Sequence, residues 1–106
     1  MTKLMVFANA KPGRDEDFND WYNAVHLQDL LDIPGVVSGE RFRAATSSST
    51  RVPPAEHRFL AVYEIDGDVD AVIAELNARV ADGRMVIDDS VDPNGARFTV
   101  WEQEPR

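Results

Sequence analysis

The chain has 106 residues, 43% of them apolar and 28% charged, and its 11 Lys+Arg against 19 Asp+Glu leave a formal net charge of -8. That length sets a limit of one domain, residues 1–106, and the apolar share is that of a folding chain rather than a disordered one. The acidic balance argues against nucleic acid and anionic membranes as partners, since gripping phosphates takes Lys and Arg, and the absence of cysteine excludes disulfides, thiol nucleophiles and thiolate metal sites.

Residues 3–8 (KLMVFA) form a continuous apolar run closed by Lys11-Pro12-Gly13, as a strand buried on both faces would be. This stretch is too short in its apolar core for a secretory signal, and no run approaches the roughly 20 apolar residues that span a bilayer. The expectation is a soluble, cytoplasmic protein. An acidic opening at Asp15-Glu16-Asp17 then precedes Phe18, Trp21, Tyr22 and Val25, whose spacing predicts a first helix with its acids at the positive end of the dipole. Continuing that face would bury Asp29, whereas the apolar residues are Leu27, Leu30 and Leu31. The helix is therefore expected to bend or restart near His26.

Ile33-Pro34-Gly35 ends the helical stretch. Residues 36–43 (VVSGERFR) alternate as an edge strand, with Val36, Ser38, Glu40 and Phe42 on one side and Val37, Gly39, Arg41 and Arg43 on the other. Residues 44–54 are small, Ser-rich and Pro-terminated, a loop by composition that would serve as a lid or a simple connection. Residues 57–65 (HRFLAVYEI) are apolar on both faces and read as a central strand. Gly67-Asp68 offers an N-cap to a second helix, in which Val69, Val72, Ile73, Leu76 and Val80 make the apolar stripe and Asp82-Gly83 the stop. Residues 84–92 leave strand and loop open, and residues 96–102 (ARFTVWE) make the last strand.

The order strand, helix, strand, strand, helix, strand is the α+β, ferredoxin-like βαββαβ arrangement. It places both helices on one face of a four-stranded antiparallel sheet, with strands one and three central. Two helices cover one face only, while Met5, Phe7, Phe59, Tyr63 and Trp101 must be shared between two. A second copy packing sheet against sheet would cover the other face, and a small domain gains from such burial.

Among residues able to carry chemistry, His26 follows Tyr22 by one helical turn, and a neutral imidazole between helix and sheet would accept and return a proton. Its reference pKa of about 6.5 suits both directions. The plainer role is a histidine that caps the bend. Tyr63 would orient a carbonyl or His26, or simply pack. Trp21 and Trp101 read as walls. Arg41, sharing a strand face with Arg43, would hold a carboxylate or phosphate, or guard the sheet edge. His57 reads as solvated. The only local metal-ligand set is His26 with Asp29 or Asp32, which is no recognised chelate, and no phosphate loop, Ser elbow or two-histidine helix motif occurs, so neither metal nor cofactor is expected.

Residues 18–43 (FNDWYNAVHLQDLLDIPGVVSGERFR) resemble the pattern of the dimeric α/β-barrel superfamily, especially EthD-like members, at Trp21, Tyr22, His26, Leu27, Pro34, Gly35, Val36, Arg41 and Phe42. Residues 57–65 with the helix after them resemble small bacterial members too. The resemblance implies a homodimer of ferredoxin-like subunits, each with a pocket between sheet and helices, and carries the helix-one histidine onto His26. The chain departs from the pattern at Gln28, where a proline often follows the His-Leu pair. Haem-degrading and oxygenase branches find only Asn9 and a distant tryptophan here. Because the superfamily spans many activities, two readings follow. One is a cofactor-free proton-transfer enzyme of the lyase, cyclase or isomerase kind, acting on a small hydrophobic or aromatic metabolite. His26 would be its acid/base, Tyr22 and Tyr63 its carbonyl-orienting groups, and Trp21, Arg41, Phe59 and Trp101 its substrate contacts. The other is a non-catalytic dimer that binds a small ligand or a protein.

Overall fold

A computed structural model describes all of residues 1–106. Its strands are β1 (Thr2–Ala8), β2 (Val36–Arg43), β3 (Phe59–Ile65) and β4 (Arg97–Glu102). They form one sheet in the order β2-β3-β1-β4, every pairing antiparallel. The two continuously apolar strands are thus central, as expected from their composition. Helices α1 (Asp15–Trp21), α2 (Leu27–Leu31) and α3 (Val69–Ala81) complete the ferredoxin-like fold.

Between α1 and α2 the chain makes a π-helical turn, Tyr22–His26, in which the Leu27 amide donates to the Tyr22 carbonyl. That i→i+5 bond holds one residue more than an α turn. The extra residue resets the phase of the apolar stripe: Phe18 and Tyr22 are buried before it, Leu30 after it, and Asp29 is turned out of the core. The expected break near His26 is therefore a register change inside a continuous helical path.

Helix α3 begins where Asp68 caps it by accepting from the Asp70 amide at 2.9 Å. Its stripe of Val69, Val72, Ile73 and Leu76 packs on the sheet. Leu4, Ala8, Phe59, Ala61, Tyr63 and Ile65 meet the helices from the sheet side. Burying a side chain such as Tyr63 or Phe18 contributes about 1.5–3 kcal/mol.

One reading of the sequence is corrected, and one open stretch is resolved. Strict alternation put Val36 on the side of Phe42. A bulge between Val36 and Ser38 instead pairs Val36 with Ile65, and Val36 packs on the core while Phe42 is exposed. The undecided stretch 84–92 is not a strand. It lies across the end of the sheet, held by the Ala10–Val91 bridge and by the Lys11 amide donating to the Ser90 carbonyl at 2.8 Å, with Met85 buried.

The molecule measures 42 × 41 × 21 Å, the thickness of one helix layer on one sheet. The far face of the sheet carries Met5, Phe7, Phe42, Leu60, Val62 and Trp101, with Lys3 and Glu64 paired across β1 and β3 at 2.6 Å.

Candidate functional site between helices and sheet

A cavity of about 280 Å³ lies between the helices and the β1–β4 side of the sheet. Trp21, Tyr22 and His26 form one wall, with Val6, Leu76 and Phe98 among the residues opposite and beside them. Val80, Ile87 and Phe98 remain partly exposed at its rim. The lining is predominantly apolar, with the His26 imidazole, Tyr22 and the Asp92 carboxylate as its polar features, the composition of a small-molecule site.

The π turn builds the polar wall. In a regular α-helix residues five apart point about 140° away from each other. Here Trp21 and His26 stack, their ring centroids 4.5 Å apart and their planes within 22°. The Tyr22 ring stands perpendicular to the same imidazole, with centroids 4.8 Å apart. These two contacts fix the ring, whose Nδ1 is buried without a hydrogen-bond partner. Burial, and then the positive charge of Arg41, disfavour the imidazolium and bring the His26 pKa down to about 4. The histidine is therefore neutral at pH 7. This revises the expectation that its ordinary value would suit proton uptake and return alike.

The Tyr22 and Tyr63 hydroxyls lie 2.5 Å apart, both on buried side chains. Burial raises both phenol pKa values, so both hydroxyls stay protonated. Two hydroxyls carry two protons, and their mutual bond uses only one. Tyr63 stands behind Tyr22 as its partner rather than on the cavity wall.

Three of the expected substrate contacts fall elsewhere. Arg41 lies over the Tyr22 ring at 4.4 Å, with its terminal nitrogens donating to Asn23 at 3.0 Å and Asn19 at 2.8 Å. Its fork is occupied by amides, and it acts on the cavity through charge rather than contact. Phe59 stacks on Phe18 in the core, ring centroids 5.0 Å apart. Trp101 is on the far face of the sheet and 55% exposed, because its pairing opposite Lys3 directs it away from the helices. There it borders a larger cavity of about 460 Å³ with Phe7, Phe42, His57 and Arg97. The expected wall of Phe59 and Trp101 is supplied instead by Leu76, Ile87, Val91 and Phe98. Of these, Ile87 belongs to an apolar triplet in acidic surroundings, a signal that could have marked the stretch 84–92 as a cavity border.

No group of three or more His, Cys, Asp or Glu residues is arranged to hold a metal ion, and no helix is long and apolar enough to cross a membrane. The sequence matches no protein-family model and no curated protein.

Comparison of the fold with solved structures does find similar ones. An ethyl tert-butyl ether degradation (EthD) family protein from Bacillus halodurans C-125 matches with a TM-score of 0.61 and 15% identity, over 98% of this chain and 99% of that one. HapK from Hahella chejuensis matches with a TM-score of 0.60 and 17% identity, over 100% and 95%. A variant of MhuD carrying two manganese protoporphyrin IX molecules per active site matches with a TM-score of 0.66 and 14% identity, over 100% and 97%. The architecture is thus that of the small ferredoxin-like α+β proteins. An EthD family protein is among the structures that share this fold.

Proposed function

We propose that this protein is a homodimeric, cofactor-free proton-transfer enzyme acting on a small hydrophobic or aromatic carbonyl compound, with His26 as the base. The observation that carries this reading is a neutral, sterically fixed imidazole on the wall of a predominantly apolar cavity of about 280 Å³. A neutral imidazole takes a proton from the carbon beside a carbonyl. As charge gathers on the carbonyl oxygen, the Tyr22–Tyr63 pair has one hydroxyl proton left to donate to it. The enolate that results offsets the charge of Arg41 and stabilises the imidazolium until the proton is returned at the same or another carbon.

The cavity volume sits at the lower end of drug-sized pockets, about 300–1,000 Å³, and suits one or two rings. It is small for a porphyrin macrocycle. Non-catalytic ligand binding is the second reading, favoured by the way the two tyrosine hydroxyls are already bonded to each other.

Hydrogen–deuterium exchange at the α-carbon of small aryl ketones, followed by proton NMR in D₂O, separates the two. The enzyme reading expects exchange above the buffer rate that falls at least 100-fold in His26→Ala, with ketone binding retained. Binding without accelerated exchange, or exchange that survives His26→Ala, defeats it.

A further inference from the structure

The buried ring nitrogen of His26 faces a carboxylate. Oδ2 of Asp29, a single helical turn along the chain, stands 3.7 Å from Nδ1. The side chains are only 12% and 26% exposed, so little water competes for either. The neighbouring donors Gln28 and Arg79 are engaged elsewhere. Gln28 donates to Asp32 at 2.9 Å, and Arg79 donates to Glu75 at 2.9 Å. An orphaned buried nitrogen and a partly buried carboxylate with no hydrogen-bond donor of its own thus face each other.

We infer that Asp29 is a positioning residue for His26, holding the imidazole proton on Nδ1 so that Nε2 is presented bare to the cavity. The inference deepens the reading of His26 as the base and rests on it for its catalytic meaning. A separation of 3.7 Å exceeds a hydrogen bond, but such contacts commonly tighten when ligand binds. The stacked Trp21 ring and the Tyr22 edge keep the imidazole from turning its other nitrogen toward Asp29. Without an acceptor at Nδ1 the ring would instead place its proton on Nε2, and the face toward the cavity would be a donor, unable to take a proton.

The charges around the pair come from three elements. Arg41 on β2 disfavours imidazolium, Asp32 after α2 disfavours ionised Asp29, and Arg79 on α3 favours it. Tyr22 and Tyr63 stay neutral. Once His26 takes a proton, Asp29 is the carboxylate placed to balance it.

The test is long-range ¹H–¹⁵N NMR of the full chain with ¹⁵N-labelled histidine at pH 7, with His57→Asn used to assign the two imidazoles. The expected His26 pattern is a protonated Nδ1 and an unprotonated Nε2, reversed in Asp29→Ala. A wild-type His26 already in the Nε2–H form overturns the inference, whether or not Asp29→Ala folds. So does an Nδ1–H form that Asp29→Ala leaves unchanged. Because this readout needs no substrate, its failure is distinct from failure of the ketone-exchange test.

Discussion

His26 is buried neutral, and that has a consequence for stability that pH reveals. In the unfolded chain it titrates near 6.5, whereas in the folded chain its pKa is about 4. Between those values the unfolded state binds the proton and the native state does not, so stability falls as pH falls through this window. The full shift corresponds to at most about 3 kcal/mol. Urea unfolding at pH 7 and pH 4 should therefore show a larger loss for the wild type than for His26→Leu, by up to about 3 kcal/mol. Equal losses in the two proteins would mean that the imidazole is not held neutral. The residue types at positions 22, 26 and 63 were legible as candidates, because a histidine one turn from a tyrosine invites proton chemistry. Their assembly was not. That Tyr63 would bond Tyr22, and that Arg41 would lie across the back of the same ring, depends on three elements far apart in sequence.

At the scale of elements, the helical stretch 15–31 and strand β2 define the site together. The phase slip of the apolar stripe signalled a break near His26, but a bend, a restart and a π turn all leave the same trace in sequence. The π turn is what sets Trp21 and His26 face to face. Strand β2 contributes by lacking a side chain at Gly39, where an added Cβ would come within 3.0 Å of Leu27 Cδ1 and of Tyr63 Cδ1 and Cε1. Tyr63 is wholly buried and has no room to swing away. Gly39→Ala is therefore expected to cost about 1–3 kcal/mol through overpacking, read as a lower urea midpoint at unchanged slope. A variant as stable as the wild type would show that Leu27 alone yields.

For the whole molecule the open sheet face sets the terms. Only 14 of 106 residues are buried, a small core that association with a second copy would enlarge. The face that the helices leave bare carries Phe42 and Trp101 at 47% and 55% exposure. Sheet-to-sheet pairing of two copies would cover it. Because Trp101 contributes little to the core of one subunit, Trp101→Glu should leave the fold intact and shift sedimentation from dimer to monomer, with at least a tenfold weaker dimer. A wild-type protein that sediments as a monomer at micromolar concentration would remove the homodimer from the proposal.

The sequence by itself determined the succession of strands and helices, the central place of β1 and β3, the cap at Asp68 and the break near His26. These follow from local periodicity and from signals a few residues long. Only the tertiary structure decided which aromatic residues share the cavity. The bulge at β2 moved Val36 to the core side, and register put Trp101 on the far face. The chain crossing at 84–92 brought Ile87 and Val91 to the cavity border. In a sheet, a shift of one residue exchanges the two faces, so the membership of a site depends on pairings between strands that no local pattern encodes.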